Sequence, residues 1–269
     1  MLKRKHTSAF TLLEVIFVIV ILGIVSSIGS KIIAQVYESY IVQRAQYRAA
    51  IKTELALNQI ANRLRYAIPT TVGAREGMGT DFIPITNNIP LTSRVLQWVG
   101  ADSESFNAGG WSGFCDLGAN TTSLNISTPG SNLRLTNTII ANLGGDVNNT
   151  RIYFPHGANH YAVANMAGED ITLNNPGIAA GETIYERYKL AWSSYALEVN
   201  AKNDLVLHHH FAPIAATAIV NDTATVLLKN VSNFRFKGSE GALRVKICVE
   251  EQINFDSDKI HTCKERVIF

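Results

Sequence analysis

Glu14 is a carboxylate inside an otherwise apolar run, Phe10-Thr-Leu-Leu-Glu-Val-Ile-Phe-Val-Ile-Val-Ile-Leu-Gly-Ile-Val-Ser-Ser-Ile28. A charge at membrane depth is costly, and where one is kept it marks function. Other polar groups invite a chemical reading less strongly. His208, His209 and His210 suggest a metal, but side chains alternate along a strand. His208 and His210 then share one face and His209 points away, so at most two would ligate together, and a half-exposed strand face is the plainer reading. Asp256 and Asp258 offer oxygen ligands of the kind calcium takes, in a turn expected between the last two strands. They lack the spaced ligand series of a calcium loop, so calcium is a weak candidate there and no other metal or cofactor is expected. Asp146-Val147-Asn148-Asn149-Thr150 fits the longer acidic sequon for bacterial N-glycosylation, with Asn148 as acceptor. Gly110-Trp111-Ser112-Gly113-Phe114 lacks the last glycine of a nucleophile elbow, and Gly77-Met78-Gly79 lacks the Lys-Ser/Thr of a phosphate cradle. No catalytic constellation survives, so the chain is not expected to be an enzyme.

The elements that position Glu14 can be read from the same stretch. Residues 1–9 are short and basic, with Lys3, Arg4 and Lys5. Residues 10–30 then form a span of 21 residues, about 30 Å as a helix, one hydrocarbon thickness. The basic flank keeps the N-terminus cytoplasmic and sends the remainder outward. An ordinary secretory signal would be cut after its apolar core, and Ser26 to Ser30 offer small residues for that, but Glu14 argues against it. Lys31 to Tyr66 contain no Pro or Gly, and apolar residues recur at Ile33, Tyr37, Tyr40, Tyr47, Ile51, Leu55, Ile60, Leu64 and Ile68. That spacing predicts an amphipathic continuation over 31–68, ended by Pro69, for a helix of roughly 85 Å in all. A break near Ser26–Ser30 is the alternative.

From residue 69 to 269 the texture is β-branched and aromatic runs between Asn, Thr, Gly and Asp. Strands are expected at 94–99, 133–140, 151–154, 183–192, 195–199, 204–211, 225–229, 233–237, 242–250 and 261–269, with a long loop carrying irregular strands across 100–150. The fold class is therefore α+β, a long N-terminal helix on an antiparallel sheet domain. Three cysteines are too few for a disulfide scaffold. Cys248 and Cys263 are expected to bond across the terminal hairpin, in a register that sets Lys246 against Glu265 and Glu250 against His261. The formal net charge is +2, and without residues 1–9 it is about −1 (2 − 3), so no nucleic-acid footprint is expected.

Ala9-Phe10-Thr11-Leu12-Leu13-Glu14 resembles the prepilin cleavage motif of type IV pilin-like proteins, with Ala9 where the family usually has Gly. The resemblance implies cleavage between Ala9 and Phe10 by a prepilin peptidase, N-methylation of Phe10, and Glu14 guiding each subunit into a filament. A weaker resemblance lies in Leu227–Phe236 and Leu243–Ile247, similar to the C-terminal part of J-type minor pseudopilins of type II secretion. Together they imply a pilin-like fold and a minor subunit of a secretion pseudopilus or type IV pilus-like filament. The implied location is the bacterial inner membrane, with the C-terminal domain periplasmic and the subunit later drawn into a periplasm-spanning filament. Implied partners are the prepilin peptidase, other pilins or pseudopilins, the inner-membrane assembly platform, membrane lipid and secreted cargo. The alternatives are a competence or adhesion minor pilin that binds DNA or a surface ligand, and a signal-anchored periplasmic enzyme.

Overall fold

The computed structural model describes residues 10–79, 81–118, 121–154, 159–239, 242–253 and 259–268. Two compact units are distinguished, residues 1–48 with 251–260, and residues 49–250 with 261–269. Asp256, Asp258 and Ala9 lie outside the described residues.

A single helix, α1 (Leu12–Leu64, 53 residues), runs through Gly23 and Gly29 without interruption. The expected alternative, a break near Ser26–Ser30, is absent. Thr11 begins it: its carbonyl accepts from Glu14 and Val15, and its hydroxyl oxygen lies 3.4 Å from the Glu14 amide. Thr-x-x-Glu is a capping-box sequence, so Thr11 to Glu14 also serve as a local start signal. In the first unit the helix is apolar and open to its surroundings. From Val15 to Ile28 its large side chains are exposed, as are Ile33, Tyr37, Tyr40 and Tyr47.

In the second unit the helix turns a different face to its own domain. Ala49, Thr53, Ala56, Leu57, Ile60, Ala61 and Leu64 are buried, while Ile51 and Leu55 of the expected stripe stay exposed. The face that packs inward is built largely from small residues between the larger apolar ones. A chain of three- and four-residue spacings cannot distinguish two adjacent faces of one helix when both carry apolar groups.

Strands follow in the order β1 (Gly73–Arg75), β2 (Ile83–Pro84) and β3 (Val95–Gly100), then a short helix α2 (Ser103–Asn107). Next come β4 (Asn125–Ser127), helix α3 (Leu133–Asn142), β5 (Arg151–Tyr153), β6 (His160–Ala167), β7 (Asp170–Leu173) and β8 (Lys189–Ala191). The chain ends with β9 (Ser193–Val199), β10 (Leu205–Phe211), β11 (Thr223–Leu228), β12 (Val231–Ser239), β13 (Ala242–Gln252) and β14 (Lys259–Ile268). They form three sheets rather than the one expected, ordered β11-β10-β9-β3-β1-β2, β12-β13-β14 and β4-β7-β6-β5-β8. The architecture is α+β and pilin-like: a long N-terminal helix, then antiparallel sheets.

One core lies between the buried face of α1 and the first two sheets. It joins Leu57, Ile60 and Leu64 to Leu96, Trp98 and Leu207, and to Phe234, Val245, Ile247 and Ile268. A separate core belongs to the third sheet, where Ile126, Ile152, Val163 and Ile171 pack with Leu133 and Ile140 of α3 and with Trp111.

That second core overturns two expectations. Residues 133–140 are helix, not strand: Leu133, Thr136 and Ile140 are the buried positions, at helical spacing, and the Asn132 side chain caps the Leu135 amide. Among its described residues the stretch 100–150 bears the short strand β4, as an irregular strand was expected there, and two helices, α2 and α3, which were not. The expected strand over 183–192 shrinks to Lys189–Ala191. The β6–β7 hairpin was not anticipated, although Gly168-Glu169 between Ala167 and Asp170 is a two-residue turn with glycine at positive φ.

Cys248 and Cys263 are bonded, with Cα atoms 4.0 Å apart. His261 and Glu250 approach to 3.5 Å, as that register requires, while Glu265 takes Arg244 at 3.0 Å. Lys264 and Arg266, on the edge strand β14, reach α1: Lys264 Nζ meets Glu54 Oε2 at 2.8 Å, and Arg266 donates to Asn58. The neighbouring Lys264 lowers the pKa of Glu54. Cys115 is free and buried, and burial raises its pKa.

Two stability outcomes follow. Ile60→Ala should cost about 2–5 kcal/mol in denaturant unfolding, whereas Ile33→Ala should leave that transition unmoved, because Ile33 is exposed. Breaking the Cys248–Cys263 link, which closes a separation of 15 residues, should cost roughly 3 kcal/mol. Unreduced peptide mapping that found Cys115 in the bond would contradict the hairpin.

Candidate functional site

Two regions bear on function, each within one unit. The first is the N-terminal segment of α1. Phe10 is exposed, and so is every large apolar side chain from Leu12 to Ile28. By length and composition this helix can cross a membrane. Glu14 sits in its first turn, where a carboxylate also complements the positive end of the helix dipole. A carboxylate at this position thus has a local role as a helix start and remains available to an outside cation.

The second region surrounds the three histidines on β10. The expected facing is wrong. β10 pairs with β9 through His209↔Tyr195, then slips so that Phe211 faces Ser194. His210 occupies that bulge with φ of 64°, a left-handed backbone that few non-glycine residues adopt. The bulge turns His210 to the side of His209, and their rings meet edge to face with centroids 4.3 Å apart. His210 also packs on Trp192, centroids 5.2 Å apart, and its amide donates to Ser193 Oγ. Burial lowers the pKa of both histidines, with His210 and Arg63 adding to the effect at His209.

His208 is alone on the other side. Its Nδ1 lies 2.5 Å from Asp222 Oδ2, and its Nε2 lies 3.4 Å from Glu198 Oε1, an ionic contact without hydrogen-bond alignment. These carboxylates, Glu198 foremost, raise its pKa although burial opposes them. Asp222 precedes β11, so the imidazolium ties the edge strand to β9 and β10. Among the described residues no group of three or more His, Cys, Asp or Glu is placed to hold a metal ion.

His209 and His210 line an open cleft of about 430 Å³, together with Asn62, Arg63 and Tyr66 of α1 and its C-terminal end, Glu104 of α2, and Trp192. No local pattern in the sequence marks this cleft, because its lining comes from segments far apart in the chain and from a bulge without glycine. Asn148 is exposed in a short 3-10 turn whose amide is capped by Asp146, whereas Thr150 of the same sequon is buried. Ser112 of the rejected elbow lies in a chain of hydroxyls, donating to Phe114 O and accepting from Ser131 Oγ at 3.2 Å.

Residues 4–30 match the protein family described as a prokaryotic N-terminal methylation motif. The chain therefore has the prepilin-type start of the type IV pilin-like family, and its helix followed by antiparallel sheets is a pilin-like architecture. The motif supports a pilin- or pseudopilin-type subunit, and it implies processing by a prepilin peptidase and assembly with other pilins. Comparison with curated proteins and with solved structures gives no significant match.

The His208 contact has a definite pH signature. Its folded pKa lies above the ordinary 6.5, so its stabilisation is complete below about pH 6.5 and is lost as pH rises through the folded value. Urea midpoints of wild type should fall relative to His208→Gln across that rise. Parallel curves for the two proteins would show that His208 carries no linkage.

Proposed function

We propose that this chain is a structural minor subunit of a type II secretion pseudopilus or a type IV pilus-like filament. In this reading the peptidase cuts between Ala9 and Phe10, Phe10 is N-methylated, and residues 10–30 dock among homologous helices first in the inner membrane and then in the filament. Residues 31–68 continue the helix, and the β-rich domain of residues 69–269 lies on the periplasmic side, where it contacts other minor subunits or cargo.

One observation carries the reading. The helix exposes its large apolar side chains from Leu12 to Ile28, and the carboxylate of Glu14 stands among them in the first turn. Lipid can cover the apolar surface but offers the carboxylate nothing. A free amino terminus created at Phe10 of a neighbouring subunit supplies a cation at the same depth. Pairing the two removes both desolvation penalties, so Glu14 sets axial register as well as affinity. Losing one partner of such a pair costs about 3–5 kcal/mol.

Intact mass of the membrane-extracted protein should correspond to a chain starting at N-methyl-Phe10. A start within 26–31 would instead reveal ordinary signal cleavage. Glu14→Gln separates the two roles of this residue, since glutamine is tolerated in a capping box but carries no charge. We expect Glu14→Gln to insert and be cleaved normally yet disappear from sheared filaments or crosslinked subunit complexes. Incorporation equal to wild type would leave Glu14 as a helix-start residue only.

A further inference from the structure

The cleft beside His209 and His210 does not stand alone. A second, of about 370 Å³, adjoins it, and Tyr66, Ala101 and Ser103 line both, so the two form one trough across the end of α1. Each is the size of an ordinary ligand site. All of it belongs to the second unit.

The lining has three chemical components. Aromatic groups are open to solvent within it: Tyr66 is 44% exposed and Phe106, packed on Trp111, is 49% exposed. Cations are spread along it, Arg63 in the first cleft and Arg65, Arg187 and Lys189 in the second. None of these four is held in an ion pair among the described residues. Hydrogen-bonding groups complete it: Glu104, which accepts from Ser103 Oγ at 3.1 Å, and the two histidines. Asp102, which also lines the second cleft, lies buried beneath, and burial raises its pKa. The left-handed backbone at His210 is the kind of local strain that persists where surroundings fix it and that clusters at binding sites.

The complementary ligand has flat apolar ring faces, repeated negative charges and hydroxyl donors. We propose that this trough binds an acidic oligosaccharide of the uronic-acid type. Its rings stack on Tyr66 and Phe106, its carboxylates meet Arg63, Arg65, Arg187 and Lys189, and its hydroxyls donate to Glu104. Single-stranded DNA satisfies the ring and charge requirements as well, and its bases carry N–H donors, so it is the competing ligand in the test. A neutral sugar leaves the four cations unmatched. The carboxylated sugar offers a ring face, a carboxylate and hydroxyl donors on every repeating unit, matching all three components.

The probe is trigalacturonate, titrated into the full-length mature protein in detergent micelles and followed by tryptophan fluorescence and calorimetry. Trp111 and Trp192 line the trough and report occupancy. The neutral galactose trisaccharide and a single-stranded DNA oligonucleotide are titrated alongside. We expect saturable binding of trigalacturonate, about tenfold weaker or worse binding of the neutral sugar, and weaker binding of DNA. Arg63→Gln with Arg187→Gln, both exposed and thus expected to melt as wild type, should weaken trigalacturonate by about tenfold or more. Tyr66→Ala should do the same. No saturable response to trigalacturonate, equal affinity for the neutral sugar, tighter binding of DNA, or an unchanged affinity in the folded double variant each overturns the proposal. Filament incorporation is not measured, so such a failure leaves the docking reading where it stands.

Discussion

Inside lipid or a bundle of apolar helices there is no water to satisfy a broken backbone, so every N–H and C=O must be paired within the segment itself. A helix long and apolar enough to cross a membrane, as the N-terminal part of α1 is, meets that constraint by staying helical throughout. The constraint explains why α1 continues through Gly23 and Gly29 rather than ending there, and why its start needs a cap. Thr11 provides that cap, and Glu14 follows at the position where a negative charge favours the helix end. The first core is built on the C-terminal part of this same helix.

The helix meets its own domain through a face unlike the one it leaves open. Ala49, Thr53, Ala56 and Ala61 are buried with Leu57, Ile60 and Leu64, and their small side chains admit sheet residues as large as Trp98 and Phe234. Thr53 returns its hydroxyl to the Ala49 carbonyl and so brings no unpaired polar group into contact with the sheet. The larger groups Ile51 and Leu55 lie outside this contact, on the side available to other molecules. Size sorts the two faces: small residues where the domain's own sheet must come close, large ones where a partner can supply the complementary surface.

The legibility of the sequence varied with how local each signal was. The apolar run, Glu14 within it, and the alternation of Leu243, Val245 and Ile247 are local patterns, and each led to the correct element. The terminal disulfide was also readable, because a short hairpin fixes which residues oppose. Leu133 to Ile140 misled because β-branched Thr and Ile outweighed the spacing of three and four between Leu133, Thr136 and Ile140, which the Asn132 cap should have reinforced. Gly168-Glu169 marked a hairpin that was legible but overlooked. The His210 bulge was not legible at all, since no glycine announces it, and with it went the true facing of the histidines. The trough was equally hidden, being assembled from α1, α2, β8 and β10.

The ties between β14 and α1 have a mechanical consequence. Lys264 to Glu54 and Arg266 to Asn58 lie one helical turn apart, and between these basic residues and the hairpin turn stands the covalent Cys248–Cys263 link. A pull directed along the helix axis loads both contacts together, in shear, rather than peeling them one after the other. The strain then passes through β14 into a covalent bond and from there into β13, whose residues Leu243, Val245 and Ile247 are seated in the same core as the helix. The C-terminal strand is thus a strap fastened to the helix, and its buckle is a bond that tension alone does not readily undo.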